Sequence, residues 1–479
     1  YNRTRVSTET LPAARAARGT ETLPTTQAAL RLCGSSRIIA AHVLPLRRGG
    51  KGLKNMMKTT SLKTRVSAGL LCLLLALCAL LQAGCAAQVQ AADLMEDIQA
   101  GGAAGRDADA AFIASAARFS IDLFQQSRED GKNALVSPLS VLLALAMTAN
   151  GADSETKAQM EALLGGGIPL ETLNEYLYSY VRSLPSEEKA KLRIANSIWL
   201  RDDPSLQVER DFLQKNADYY DAAVYKSAFD GQTVQDINNW VKQNTDGCID
   251  RIVDEIGADT VMYLINAMIF DAEWQNPYEA DAVREGRFHA AAGAEQKAEL
   301  MTSTENLYID DGEASGFLKP YAGGRYSFLA LLPNEDTGIE NYLASLTGEG
   351  FLRTVRSARR ASVLATVPKF GYDCSIRLNN ALEQLGIPDA FEGADADFSR
   401  LGRSDWGNIY IGDVLHKTYI EVDTRGTKAA AVTKVEMKAE GAMLRDYTVT
   451  LDRPFVYAIL DNATGLPLFL GTLTELPAE

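Results

Sequence analysis

The chain has 479 residues, of which 46% are hydrophobic and 23% are charged. This length suffices for one large mixed domain or for two or three average ones. The formal net charge of −14 argues against a protein that binds nucleic acid regardless of sequence. The three His and six Cys show none of the paired spacings, such as C-x-x-C or H-x-x-x-H, that zinc sites use. We therefore expect neither a metal site nor a cofactor.

The front of the chain differs in charge from the rest. Residues 1–84 hold 13 of the 48 Lys and Arg but only 2 of the 62 Asp and Glu, so residues 85–479 are strongly acidic. The first Met is Met56, and residues 1–55 show no sustained hydrophobic period. We expect 1–55 to be upstream sequence that is not translated. A disordered basic arm or a transit peptide is the alternative.

Residues 56–84 are organised like a secretion signal peptide. Three basic side chains precede an apolar run of 14 residues at 68–81, which is shorter than the ~20 residues that a membrane-spanning helix needs. The small residues just before Cys85 resemble the lipobox of bacterial lipoproteins. We therefore expect an extracellular or cell-surface protein that is lipidated at Cys85, with simple cleavage after Ala86 or Ala87 as the alternative.

Residues 85–110 are rich in Ala, Gln, Asp and Gly, a composition typical of a flexible tether. Beyond Cys85 the chain has two cysteines, Cys248 and Cys374. A disulfide between them and a pair of buried thiols both agree with the sequence. The remaining residues, 111–479, are expected to form one folded domain.

Helical periodicity is strongest in the first third of this domain. Ser137-Pro138 predicts a helix start, because proline lacks the N–H that would be unpaired in a first turn. Apolar residues at helical spacing predict helices at 112–124, 141–147, 154–164, 170–184, 237–241, 249–256 and 376–385.

Strand patterns dominate the last third. They predict strands at 195–200, 262–274, 326–332 and 363–367, and a hairpin of 455–460 with 468–473 around a turn at 461–465. Helices first and strands last indicate one α+β domain and not a series of βαβ units.

One segment, 427–438, has a pattern that conflicts with its position. It connects a strand ending near Val422 to a strand at Tyr447, yet it is too long for an ordinary link inside a compact domain. Alternate residues form one small or apolar face, and the opposite face carries every charge, as in a half-buried strand. The segment therefore predicts two states, a loop that later becomes a strand. An amphipathic helix and a plain strand are the alternatives. The small or apolar face consists of Thr427, Ala429, Ala431, Thr433, Val435 and Met437.

Eight short motifs stand in one order along the chain. They are Ser137-Pro138-Leu139-Ser140, Asn196-Ser197-Ile198-Trp199, Asn266-Ala267-Met268-Ile269-Phe270 with Trp274, Val367-Pro368-Lys369-Phe370, Asp397-Phe398-Ser399, His416-Lys417, Ile420-Glu421-Val422 and Asp452-Arg453-Pro454-Phe455. Together these motifs resemble those of the serpins, a family of serine protease inhibitors. Each motif is short, but their common order makes the resemblance specific, and it covers residues 111–477.

The resemblance implies an α+β fold of three β-sheets with eight or nine helices and an exposed reactive loop at about 426–446. It also implies a suicide-substrate inhibitor. A target protease attacks the loop and forms an acyl-enzyme, and the cut loop then inserts as a new strand into the central sheet. No enzymatic activity is expected, since the chain also lacks the G-x-S-x-G motif found in many hydrolases.

The resemblance assigns roles to several residues. Lys428 and Thr424 stand where inhibitory members usually have acidic residues, but Lys428 lies on the outward face and need not block insertion. The proximal hinge of the loop would comprise Gly426, Thr427, Lys428, Ala429, Ala430, Ala431, Val432 and Thr433. The polar shutter cluster beneath the sheet would comprise Ser137, Ser140, Asn266 and His416, and Trp274 would mark the breach at the top of the sheet.

The position of the cleaved bond follows from the spacing that is usual in the family. Counting forward from Gly426 reaches Glu440, whereas counting back from the last motif reaches Met443. We favour Met443, because Met443 and Leu444 suit the apolar pockets of elastase- or chymotrypsin-like proteases. Arg445 would suit a trypsin-like protease instead.

The expected partner is a target serine protease held in a covalent complex, and the protein itself is expected to be a monomer. We expect contact with a membrane only through a lipid at Cys85, and none with nucleic acid. The alternative is a non-inhibitory serpin that acts as a surface binding module. Such members usually carry bulky, charged or Pro residues on the inward hinge face, which this sequence lacks.

Overall fold

The computed structural model describes residues 89–257, 260–427 and 446–477, all of which belong to the unit Cys85–Glu479. Within these ranges the chain forms nine α-helices. They are α1 (Ala110–Ser127), α2 (Pro138–Ala149), α3 (Ser154–Gly165), α4 (Leu170–Ser183), α5 (Arg210–Tyr220), α6 (Gly231–Asn244), α7 (Gly338–Ser345), α8 (Gly348–Arg356) and α9 (Asn379–Gln384).

Local chemistry accounts for several helix starts. The Asp109 carboxylate accepts the N–H groups of Ala111 and Phe112 and so caps α1. Asp230 and Thr233 form a reciprocal capping box at the start of α6. Pro138 begins α2 as the sequence predicts.

The described strands range from two residues to the 16 of β8. They are β1 (Ala92–Asp93), β2 (Ala134–Val136), β3 (Ala190–Arg201), β4 (Gln207–Val208), β5 (Ala223–Ser227), β6 (Met262–Glu273), β7 (Val283–His289), β8 (Glu295–Asp310), β9 (Ala314–Pro320), β10 (Tyr326–Pro333), β11 (Arg359–Pro368), β12 (Phe370–Arg377), β13 (Gly402–Arg403), β14 (Asp413–Val422), β15 (Gly426–Thr427), β16 (Tyr447–Thr450), β17 (Phe455–Asp461) and β18 (Pro467–Leu473).

These strands form three sheets. The central sheet has seven strands in the order β1-β5-β3-β6-β15-β14-β12, and the second sheet has nine, with the order β16-β11-β8-β9-β10-β17-β18-β2 and β7 paired to β8. The third sheet is the pair β13-β4. The prediction of an α+β fold with three sheets and eight or nine helices is confirmed for the described part of the chain.

The two large sheets and most of the helices share one hydrophobic core. The helix α2 lies at its centre, since all twelve of its residues are buried. A smaller core cluster fills the space between α6 and strands β3 and β6, where Trp199, Ile237, Trp240 and Tyr263 pack together.

The strands β6 and β14 are joined at one end only, and this feature positions the candidate site. They pair in parallel where residues 413–417 face residues 263–267. At the other end β15 lies between them, with Gly426 opposite Glu273 and Thr427 opposite Ala272. Among the described residues, no strand pairs with 268–271 of β6 on the side that faces β14. We call this unpaired stretch the split.

Two helix predictions are wrong. Residues 249–256 form no helix, because the Asn238 side chain accepts the N–H groups of Ile252 and Val253 and holds an irregular chain against α6. The buried Ile249 and Val253 are four residues apart and imitate a helical period. The helix predicted at 376–385 covers only Asn379–Gln384, since Ile376 belongs to β12 and pairs with His416.

The flexible tether predicted at 85–110 is corrected for residues 89–109, which pack along the domain. β1 pairs with β5 at the edge of the central sheet, and Leu94, Met95 and Ile98 lie against the hydrophobic core. Farther along, Arg106 forms an ion pair with Glu175 at 3.1 Å. Scattered apolar residues in a stretch rich in small residues thus suffice to cover a sheet edge.

Two further findings bear on the cysteines and on membranes. Cys248 and Cys374 are free thiols and only partly buried, and the pKa of the Cys374 thiol is raised by burial. No helix within residues 89–257, 260–427 and 446–477 is both long and apolar enough to cross a bilayer.

Candidate functional site

The site lies at the open end of the split, where the chain turns from β14 into β15. The Asp423 carboxylate accepts the backbone N–H groups of Arg425 at 2.7 Å and Gly426 at 3.0 Å, which closes a tight turn at 423–425. The turn delivers Gly426 and Thr427 into the space between β6 and β14.

Gly426 occupies a place that only glycine fits. A Cβ there would lie 1.9 Å from the carbonyl oxygen of Ala272 in β6. The next residue, Thr427, is buried, and its hydroxyl lies 2.5 Å from the hydroxyl of Tyr321. The first two residues of the predicted hinge are therefore already held as a strand inside the sheet.

Three backbone carbonyls of the turn accept hydrogen bonds from two neighbouring residues, Trp274 and Tyr278. We call these two residues the hinge clamp. The backbone N–H of Trp274 donates to the Arg425 carbonyl at 2.7 Å, and its indole N–H donates to the Asp423 carbonyl at 2.9 Å. The backbone N–H of Tyr278 donates to the Thr424 carbonyl at 2.8 Å. The clamp thus binds the turn through the main chain, whatever side chain stands at position 424.

Beneath the split, the predicted shutter residues form a neutral hydrogen-bonded cluster. His416 lies opposite Asn266, one pair before the parallel pairing of β6 and β14 ends at Lys417 and Ala267. Its Nε2 accepts the Ser137 N–H at 3.0 Å, so the ring proton sits on Nδ1, which lies 2.6 Å from the Asn266 amide oxygen. Complete burial lowers the pKa of His416 to about 3, because a charged imidazole would lose its hydration there.

The structure adds two members to this cluster and leaves one predicted member outside its hydrogen bonds. Asn266 donates to the Asn196 amide oxygen at 2.6 Å, and the Ser137 hydroxyl lies 2.7 Å from the Met268 sulfur. Ser140 is buried next to them, but its hydroxyl has no partner among the described residues. Asn196 is the first residue of one of the eight motifs, so its place in the sequence could have predicted its membership of the cluster.

The far end of the loop is anchored by aromatic stacking that the sequence analysis missed. Tyr447 begins β16, which pairs in parallel with β11. Its ring stacks on Tyr308 with centroids 3.9 Å apart, and the Arg359 guanidinium lies over both rings and donates to the Tyr447 hydroxyl at 2.8 Å. These contacts tie the loop to the second sheet.

Most of the predicted loop residues, and the lipidation candidate Cys85, lie outside the described residues. Their assigned roles stay predictions. They are the hinge residues Lys428, Ala429, Ala430, Ala431, Val432 and Thr433, the bond candidates Glu440, Met443, Leu444 and Arg445, and the lipidation candidate Cys85.

Comparison with known proteins identifies the family. The family model described as serpin (serine protease inhibitor) matches residues 114–476. The chain belongs to the serpin family. Serpins are in general inhibitors that bind target serine proteases and are not catalytic enzymes.

Individual serpins share most of this chain. The native-state crystal structure of the thermophilic serpin tengpin has 52% sequence identity and a TM-score of 0.79, and the match covers 81% of this chain and all of the other. Tengpin in its latent state has 49% identity and a TM-score of 0.70, with 78% of this chain and all of the other covered. The plasma serine protease inhibitor of Bos taurus is 30% identical over 371 residues, which cover 74% of this chain and 89% of that protein.

We predict that Gly426→Ala lowers the free energy of unfolding of this serpin. The added methyl group would collide with the Ala272 carbonyl, and relief of such a clash costs about 1–3 kcal/mol. Urea unfolding should show the loss as a lower midpoint. The matched control is Gly231→Ala at the start of α6, where an added Cβ meets no atom within 4 Å. Equal midpoints for both variants would contradict the prediction.

We also predict that His416 makes this serpin sensitive to acid. The unfolded chain takes up a proton near the ordinary pKa of 6.5, whereas the folded chain resists until about pH 3. Stability therefore falls as the pH drops through this window, by up to about 3 kcal/mol at pH 4.5.

The measurement is the urea unfolding free energy at pH 7 and pH 4.5. His416→Gln should reduce the loss between the two pH values relative to the unaltered protein. The control is His289→Gln, which replaces an exposed histidine and should leave the loss unchanged. An identical loss in all three proteins would exclude His416 as its cause.

Proposed function

We propose that this serpin is a suicide-substrate inhibitor of serine proteases whose cut loop inserts into the split. The observation that supports this most directly is the unpaired edge at 268–271 of β6, with β15 already inserted at its open end. Peptide groups at such an edge can accept a further strand.

The register of β15 suits that insertion. Thr427 lies opposite both Ala272 of β6 and Val422 of β14. An extension in the same register would set residues 428–431 opposite 271–268 of β6 and 421–418 of β14. The first new residues would therefore fill the split before any existing pairing between β6 and β14 has to break.

The side chains of the loop also suit insertion. Thr427 is buried against Tyr321, and alternate residues of a strand share one face. Ala429, Ala431 and Thr433 would follow it into the interior, and all three are small. About ten new ladder bonds at a net ~0.5–1.5 kcal/mol each would supply ~5–15 kcal/mol, which rivals the stability of a whole domain.

The chemistry of the cut follows the general acyl-transfer scheme. The protease serine oxygen attacks the carbonyl of the bait residue, an ester bond forms, and the peptide bond breaks to release a new amino terminus. The fragment after the cut would stay in place, because β16, β17 and β18 pair with β11, β10 and β2. Inhibition then requires that insertion be faster than hydrolysis of the ester.

The finer assignments belong to the same proposal. The favoured bait residue is Met443, followed by Leu444, which suits an elastase- or chymotrypsin-like target. The protein would be secreted through the signal at 56–84, as a bacterial protein with a lipid at Cys85, and would act as a monomer outside the cell or at its surface.

The direct test mixes the protein with neutrophil elastase, pancreatic elastase, chymotrypsin, trypsin and subtilisin. We expect a complex with an elastase or chymotrypsin that survives boiling in detergent. The same treatment unfolds the strands that hold the C-terminal fragment, so it should free a peptide that begins with Leu444. A different first residue would move the bait bond without affecting the mechanism.

The mechanism itself is tested by matched hinge variants. Thr433→Arg would place a charge on the inward face, where its burial costs several kcal/mol, so we expect the yield of covalent complex to fall by about tenfold or more. Val432→Arg, on the outward face, should keep most of the yield. Nicking with a trace of papain should also raise the melting temperature of the unaltered protein.

Two results would contradict the proposal. One is equal behaviour of the two arginine variants, and the other is a nicked protein that melts no higher than the intact one. The second result would point to a non-inhibitory serpin that acts as a surface binding module.

A further inference from the structure

A buried ion pair lies under the hinge clamp. The Lys319 ammonium is 2.7 Å from a Glu305 carboxylate oxygen, and the side chains are only 2% and 6% exposed. No other ion pair in the described part of the chain has both side chains below a tenth exposed. Removing two charges from water costs free energy unless good geometry and further hydrogen bonds offset it. A buried pair is therefore weak evidence for stability, and its contacts are the better guide to its role.

Besides Glu305 and the Ser303 hydroxyl, which lies 3.4 Å away, Lys319 contacts the segment that carries the clamp. Its ammonium donates to the Asn276 carbonyl at 3.2 Å and lies 5.3 Å from the centre of the Trp274 ring and 4.2 Å from that of Tyr278. A cation held over aromatic faces away from water attracts them strongly. Lys319 thus contacts both clamp residues and the backbone between them.

Glu305 fixes the ammonium from the opposite side. It lies in β8 of the second sheet, whereas Lys319 lies in β9 of the same sheet. The Ser303 hydroxyl donates to the same carboxylate oxygen at 2.6 Å. The ion pair is therefore part of the rigid second sheet, and the clamp is held against it.

We propose that Lys319, fixed by Glu305, is a positioning residue for loop insertion. It holds Trp274 and Tyr278 in place, so that their N–H groups can donate to the carbonyls of the turn at 423–425. The turn in turn places the first loop residues, β15, as a strand in the split. This inference rests on the proposed inhibitory function. A loose turn would slow insertion, and the acyl-enzyme would then hydrolyse and release the protease.

The test uses the full chain with the double substitution Lys319→Met and Glu305→Gln. These replacements keep the side-chain lengths and leave no unpaired buried charge, so the fold should survive. After nicking with a trace of papain, the rise in melting temperature with time reports insertion. We expect insertion to slow by about tenfold, because the ammonium no longer holds the two rings. The number of inhibitor molecules consumed per protease should rise, while the rate of acylation stays unchanged.

The matched control is Lys242→Met with Asp250→Asn, which removes an ion pair whose side chains are 58% and 74% exposed. It should insert at the unaltered rate. A second test variant, Glu305→Asp, keeps both charges, but its side chain is one methylene shorter and moves the carboxylate away from the Lys319 ammonium. It should slow insertion by a smaller factor than the double variant does. Insertion at the unaltered rate in both Lys319/Glu305 test variants would overturn the positioning role.

A second readout separates this inference from the proposed function. Hydrogen exchange of the Trp274 and Tyr278 amides reports the strength of their hydrogen bonds to the turn. It can be measured in the intact protein, before the loop is cleaved. We expect the double variant to lose protection at both amides by about tenfold. Unchanged protection would overturn the positioning role, even if the unaltered serpin inhibits. Lost protection in a serpin that never inserts would support the positioning of the turn and refute the inhibitory function.

Discussion

The incomplete pairing between β6 and β14 is the constraint on which the rest of this structure depends. On the side that faces β14, residues 268–271 of β6 pair with no strand within the described ranges, whereas residues 263–267 of the same strand pair with β14. β15 holds the upper end apart, and the contact between Thr427 and Tyr321 fixes it there. The sheet is thus held short of its full complement of hydrogen bonds, and a suitable added strand would lower its free energy.

The lower limit of the split is set by a neutral cluster. His416 and Asn266 form the last pair but one at the end of the parallel pairing that borders the split, so a strand that enters farther must separate them. Because burial keeps the imidazole uncharged, their hydrogen bond can be exchanged for another without exposing or burying an ion. A charged pair at this place would have to be separated inside the protein, which is far more costly.

Much of the fold could be predicted from local patterns, whereas the contacts of the site could not. Strong apolar periodicity predicted α1 and β6, but β8 was missed because polar and charged residues dominate its 16 residues, and its pairing with β11 and β7 is nonlocal. The glycine at 426 followed from resemblance, yet its physical reason is the nearby Ala272 carbonyl. No sequence pattern singles out Lys319, because only the fold brings Glu305 and the two aromatic rings around it.

The two ends of the loop are anchored by different means, and in the proposed mechanism this difference would decide which half moves. The proximal end is held through main-chain carbonyls of the turn at 423–425, in line with the split. The distal end is held by the stacked rings of Tyr308 and Tyr447 and by the pairing of β16 with β11. In the proposed mechanism, a cut between them would leave the distal anchor intact and would free the proximal half to continue the strand that β15 has already begun. Without a cut, a full extension of β15 would instead act against the pairing of β16 with β11.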